Sequence, residues 1–226
     1  MRNIIRSLVS LAILLVSLFL INSCKKDTNN NNEPVDFDGN HYQTVKIGTQ
    51  VWMSENLKVT HYRNGDPIQY VNDGNAWKGL TTGAYCNNSI SDAAANGNLY
   101  NWYAVNDIRK LAPVGWHVAS YDEWTLMINY LGGADKVAGK LKEAGTAHWK
   151  GPNSESNNSS GFTALPNTYR EPDGPDVIFD FCYFWTSTAT SDGYAWSWVI
   201  AGNSIVTYPF NATFKNTGIT VRCIKD

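Results

Sequence analysis

Between residues 41 and 60 apolar positions recur in two short runs, Tyr42, Val45 and Ile47 in the first and Val51 and Trp52 in the second, with Gly48-Thr49 between them. Strand formers on either side of a glycine predict an opening β-hairpin. Across 61–97 the regularity lapses, and Asn64-Gly65-Asp66-Pro67 and Asp73-Gly74 are turn signals, so this stretch is expected to be loop carrying short strands. A helical period begins after Ser120. Ser120 and Glu123 have the spacing of a capping box, Trp124, Met127, Ile128 and Leu131 share one face, and Gly132-Gly133 stops the run, which predicts a helix over 121–131. Val137 and Leu141 before Gly145 predict a second helix over 134–144, and Tyr100, Trp102 and Tyr103 a third within 98–106. Beyond a Ser/Asn-rich loop from Gly151 to Gly161, strands are expected at 162–165, 183–187, 194–200, 205–210 and 219–224. Strands at both ends around two or three helices predict a single α+β domain of short antiparallel strands, with first and last strands paired and the termini close together.

The first residues do not belong to that pattern. Met1, Arg2 and Arg6 precede an apolar run from Leu8 to Ile21, broken only by Ser10 and Ser17. The run is shorter than the ~20 residues that span a bilayer, so a cleaved export signal is expected rather than a membrane helix. Leu20-Ile21-Asn22-Ser23-Cys24 resembles the lipobox of bacterial lipoproteins, which implies cleavage before Cys24 and acylation of that residue. An ordinary signal peptide is the alternative. Lys25-Lys26-Asp27-Thr28 and four consecutive Asn follow, a polar tract with nothing to bury. The expected organisation is a signal peptide over 1–23, a disordered tether over 24–36 and one domain over 37–226.

Composition narrows the function classes. With 18 Lys+Arg against 20 Asp+Glu there is no basic field to hold a nucleic-acid backbone, so no nucleic-acid partner is expected. Export places Cys86, Cys182 and Cys223 in an oxidising compartment, where three cysteines predict one disulfide and one leftover thiol, with the pairing open. His41, His61, His117 and His148 are scattered, so no metal site is expected, and His117 in a short apolar run is expected to be packed with one hydrogen bond. No nucleophile elbow, Walker A sequence or dinucleotide fingerprint is present, and neither a cofactor nor enzymatic activity is expected.

Two local features carry chemistry. Glu171-Pro172-Asp173 presents two carboxylates, which with Asn167, Asp176 or Asp180 would suit calcium, whereas Pro172-Asp173-Gly174-Pro175 is also a plain turn sequence and the simpler expectation. Tyr194, Trp196 and Trp198 alternate along one strand and so share a face. That face is either part of the core or a platform on which a sugar ring stacks. It is the best binding candidate, and Asp173 of the turn is a further, separate candidate for ligand binding. Trp102, Trp116, Trp124 and Trp185 sit in apolar contexts and are expected to anchor the core.

A resemblance covers most of the chain. The run from Thr44 through Trp52-Met53-Ser54-Glu55-Asn56-Leu57-Lys58, then Leu99-Tyr100-Asn101-Trp102-Tyr103-Ala104-Val105, Pro113-Val114-Gly115-Trp116-His117-Val118 leading to Asp122-Glu123-Trp124, Ser160-Gly161-Phe162-Thr163-Ala164-Leu165-Pro166, Trp185-Thr186-Ser187-Thr188 and Val221-Arg222-Cys223 resemble, in order, the Fibrobacter succinogenes major paralogous domain of bacterial surface lipoproteins. That family is similar to C-type-lectin-like and formylglycine-generating-enzyme-like folds, which implies a compact C-type-lectin-like domain. The family usually has Cys where this chain has Ala112, so the resemblance makes Cys182 the substitute partner of Cys223. The Cys pair of the copper-dependent oxidases is missing between Thr213 and Thr220, and the Trp-Asn-Asp half of the lectin calcium cage is replaced by Trp185-Thr186-Ser187.

The functional expectation is a non-catalytic lipoprotein held by a lipid anchor in the cell envelope, at the outer membrane of a Gram-negative bacterium. It would bind a glycan or a protein through loops between residues 167 and 217. The alternative is a hydrolase or modifying enzyme that uses carboxylates such as Asp173, Asp176 or Asp180.

Overall fold

The computed structural model describes residues 33–88, 96–149, 155–173, 176–178 and 180–226; the expected signal peptide, lipobox and Cys24 lie outside the described residues. In chain order the elements are β1 (Thr44–Ile47), β2 (Gln50–Met53), β3 (Gln69–Tyr70), α1 (Gly74–Trp77), β4 (Ala84–Cys86), β5 (Leu99–Tyr100), α2 (Trp102–Val105), β6 (Trp116–Val118), α3 (Tyr121–Tyr130), α4 (Ala138–Leu141), β7 (Thr168–Arg170), β8 (Asp176–Ile178), β9 (Phe181–Ala189), β10 (Tyr194–Ala201), β11 (Thr207–Phe214) and β12 (Cys223–Lys225).

The opening hairpin forms around Gly48, whose φ of 61° only a residue without a side chain adopts at low cost. The last strand joins it, in a four-stranded sheet of order β1-β2-β12-β6, and Ile224 pairs with Trp52. Both ends of the domain therefore meet in one sheet, although the last strand pairs with β2 and not with β1. Residues 33–36, expected as tether, belong to the fold. Val35 bridges His41, and the Asp36 carboxylate accepts hydrogen bonds from the Tyr42 hydroxyl and the Asn40 amide.

Helix α3 carries the expected capping box. The Glu123 amide donates to Ser120 Oγ, while the Ser120 amide donates to the Glu123 carboxylate at 2.7 Å. The other two expected helices shrink to one turn each. Asn101 accepts from the amides of both Ala84 and Ala104 through Oδ1, so one side chain ends β5 and caps α2. In α4 the carbonyls of Gly139 and Lys140, which a longer helix would bond internally, instead accept the amides of Asn157 and Ser160. The expected strand at 162–165 is a single parallel bridge between Lys142 and Ala164. Pro172 and Asp173 do form a turn, between the paired strands β7 and β8.

The second large sheet, β11-β10-β9, is antiparallel throughout and leaves β11 at its edge. The Thr207 amide points away from β10 to the Ala134 carbonyl, and two residues along, on the same side, Pro209 has no N–H to offer. That removes a donor from the free edge and blunts strand addition there.

Two large aromatic-rich clusters form most of the interior, and a third, smaller one gathers around Trp77 and Cys86. Of the two large ones, the first gathers Tyr42, Tyr100, Trp102, Trp116, Trp185 and Cys223, the other Trp52, Trp124, Phe162, Phe184, Trp198 and Cys182. The fully buried Arg222 donates to Asn56 Oδ1, to the carbonyls of Met53 and Phe162 from Nη1, and to that of Thr163 from Nη2, with its guanidinium over the Phe162 ring. Among the described residues no carboxylate pairs with it, and carbonyl dipoles and an aromatic face compensate the buried charge.

The expectation of a Cys182–Cys223 disulfide is corrected: both are buried free thiols, and Cys86 is buried as well. Cys182 and Cys223 belong to different core clusters, which is why they do not pair. The first cluster holds Ala112 together with Cys223, and Ala112 has no sulfur with which to bridge it.

An aromatic shelf and its acidic rim as candidate functional site

Strand β10 carries the Tyr194, Trp196 and Trp198 face, and the structure divides it. Trp198 is only 3% exposed, and its indole stacks on that of Trp124 and donates to Thr207 Oγ1. It is a core residue, and its expected role in binding is corrected accordingly: α3 lies over this end of the strand. Trp196 sits where the ladder slips between Ala195 and Ser197, with Asn211 and Ala212 of β11 opposite it. The bulge places it beyond the helix, half-buried, with its ring 4.5 Å from that of Tyr121 at the first turn of α3. Tyr194 lies directly opposite Phe214 on β11, with ring centroids 4.7 Å apart, and Phe214 is exposed. Tyr121, Trp196, Tyr194 and Phe214 thus form a shelf of partly exposed rings where the buried stripe runs out.

Phe214 also lines an open depression of about 480 Å³ with Glu171, Pro172, Asp173 and Asn216. This joins the two features that the sequence presented separately. Asp173 stands exposed at the rim, 3.5 Å from Lys78 Nζ. Glu171 accepts a 2.6 Å hydrogen bond from the Tyr169 hydroxyl, whose acidity is suppressed by burial first and by this carboxylate second. Carboxylates beside aromatic rings offer acceptors for hydroxyl hydrogens next to faces on which C–H groups pack. Tyr121 and Phe214 escaped the sequence-based choice. Phe214 lies beyond the expected end of its strand, and Tyr121 is the first residue of a helix whose apolar stripe begins at Trp124. The exposed aromatic alternation Tyr208, Phe210 on β11 was the available signal.

His117 departs from expectation as well. Its Nδ1 lies 2.7 Å from Asp226 and its Nε2 2.8 Å from Glu123, so both ring nitrogens face carboxylates. Only the imidazolium donates from both. Partial burial pulls its pKa down, but the two carboxylates outweigh this and hold it above the usual value. Neither nitrogen is left to act as a base. Among the described residues no group of three His, Cys, Asp or Glu is arranged to hold a metal ion, and no helix is long and apolar enough to cross a membrane.

The described residues form an α+β domain in which the first hairpin and the last strand share one antiparallel sheet, a second such sheet carries the aromatic shelf, and α3 packs against both through Trp124. The chain belongs to the Fibrobacter succinogenes major domain family, whose profile matches residues 45–225. No curated protein and no solved structure matches the chain.

Proposed function

We propose that the protein is an envelope lipoprotein, cleaved before Cys24 and anchored by acyl chains in the outer membrane, whose domain is a C-type-lectin-like fold used without calcium as a non-catalytic glycan-binding module. The observation that carries the binding reading is the shelf of Tyr121, Trp196, Tyr194 and Phe214 opening onto the rim of Glu171 and Asp173. Stacking faces next to a few fixed polar groups are what a sugar ring requires. Two features favour a calcium-free mode. Asp173 is engaged by Lys78, and Trp185, where the second half of a calcium cage would begin, is buried with its indole donating to the Tyr100 carbonyl. The joining of the domain's first hairpin and last strand in one sheet supports the lectin-like relation.

The full chain in detergent, applied to a glycan array, is expected to bind at least one oligosaccharide. Trp196→Ala and Phe214→Ala are each expected to weaken that binding by about tenfold or more, the scale of an aromatic anchor. An array without signal, or binding indifferent to both substitutions, refutes the shelf. Cys24→Ser is expected to release the protein from the membrane fraction, and continued membrane association of that variant refutes the anchor.

A further inference from the structure

A second recess lies away from the shelf, between the Tyr62–Pro67 turn, the segment before β4, and α2 with the turn that follows it. It has a volume of about 420 Å³, and Gln69, Thr82, Tyr103, Asp107 and Arg109 are among its walls. Tyr62 lies beneath it, 1% exposed, and among the described residues its hydroxyl has no partner in hydrogen-bonding geometry. Asp107 and Arg109 stand near enough to influence that hydroxyl, but neither meets it in hydrogen-bonding geometry. Burial first, and Asp107 second, push its pKa up to about 12, so it remains a neutral O–H able to donate as well as accept. A buried hydroxyl without a partner costs about 1–3 kcal/mol, a cost that a bound polar group would relieve. Gly83 borders the same spot, and a Cβ added there would overlap the Tyr62 hydroxyl.

The charges around the recess restrict what it accepts. Arg109 lies over the Tyr62 ring, 4.0 Å from its centroid, and spends its fork on Asp107, with Nε donating to Oδ1 at 2.9 Å and Nη2 to Oδ2 at 2.8 Å. Its Nη1 donates to Asp66 at 3.3 Å. One guanidinium thus faces two carboxylates. An anionic ligand would find the fork occupied and the surroundings net negative, and a metal ion would have to displace Arg109 from the same carboxylates. An apolar ligand would strand the hydroxyls and amide of the walls. Groups that both donate and accept, around a half-buried tyrosine ring, match a polyhydroxylated ring with C–H faces.

We propose that this recess is a binding site for a neutral sugar unit, separate from the shelf, with the Tyr62 hydroxyl, Thr82 and Gln69 hydrogen-bonding its hydroxyls and Tyr103 beside its face. The proposal does not depend on the shelf and fails separately from it. The test is calorimetric titration of the full chain in detergent with cellohexaose, mannohexaose and hexagalacturonate. At least one neutral hexasaccharide is expected to bind, and hexagalacturonate more weakly. Tyr62→Phe removes a hydroxyl that is unpaired in the free protein, so its melting temperature is expected to hold or rise while affinity falls about five- to tenfold, the scale of one lost hydrogen bond. Thr82→Val, at an exposed position, is expected to weaken binding in the same direction. Absence of binding by either neutral hexasaccharide, tighter binding of hexagalacturonate, or affinity unchanged by both substitutions overturns the proposal. Binding that responds to Trp196→Ala but to neither recess variant supports the shelf alone and also overturns it.

Discussion

The indole of Trp198 lies over that of Trp124 with the ring planes 6° apart and the centroids 5.8 Å apart. This contact joins β10 to α3 and makes Trp198 structural, whereas Trp196, two residues back, lies beyond the helix. Trp198→Ala would leave a cavity against Trp124 and take the indole donor away from Thr207 Oγ1, which keeps its own bond to the Val199 carbonyl, and is expected to cost about 3–5 kcal/mol. Trp196→Ala, half-buried at a bulge, is expected to cost less than about 1.5 kcal/mol and to act on binding instead. Urea denaturation of the two variants checks this, and equal losses would place both residues in the core.

Stability around neutral pH is expected to respond to His117. Its folded pKa is raised above the unfolded value of about 6.5 by Asp226 and Glu123, so its contribution is fully present below that value and is lost as pH rises through the folded pKa. The group is partly exposed and screened, which limits the effect to about 1 kcal/mol. Glu123 behaves oppositely. Burial raises its pKa, but the Ser120 amide and hydroxyl and then His117 lower it overall, so its contribution is present at neutral pH and is lost in acid. Melting temperatures from pH 2 to 9 should pass through a maximum, and His117→Gln should flatten the alkaline limb without removing the acid one.

Arg222→Lys is expected to cost about 3 kcal/mol or more despite conserving charge. A planar fork reaches Asn56, Met53, Phe162 and Thr163 at once, while a single ammonium on a shorter reach leaves buried carbonyls without donors. Burial pulls the guanidinium pKa down to about 9, which still leaves it cationic at neutral pH. A melting temperature equal to that of the unsubstituted chain would contradict this account.

The thiols offer a chemical test. Cys182 and Cys223 are buried, and burial pushes both pKa values far above the usual thiol range, so neither is expected to react with a thiol reagent in the folded protein. Without reductant, denaturation should expose reactive thiols at both Cys182 and Cys223. Failure of both to react would mean that a disulfide joins them.

Several elements were legible along the chain because their causes are local. Ser120 and Glu123 cap α3 through groups three residues apart, Gly132-Gly133 ends it, and Gly48 turns the first hairpin. The candidate site was half legible. Tyr194 and Trp196 were found through strand alternation and Asp173 through its turn, but Trp198 was misassigned. Alternation shows that three side chains share a face and carries no information on how far α3 extends over it.

The sequence by itself determined the α+β class, the position of the main helix, the hairpin at the start and a strand at the end, since capping, turn chemistry and apolar period act within a few residues. Tertiary structure alone decided the rest. Asn101 and the carbonyls of Gly139 and Lys140 are claimed by groups distant in sequence, which cuts two helices to single turns. Cys182 and Cys223 fall into different clusters and stay thiols, and the bulge at Trp196 turns one stripe into a buried tryptophan and an open shelf. Among the described residues the buried Tyr62 hydroxyl has no hydrogen-bond partner because of where Gly83, Asp107 and Arg109 meet around it. Each of these outcomes depends on which distant groups arrive at the same place, and residue spacing does not encode that.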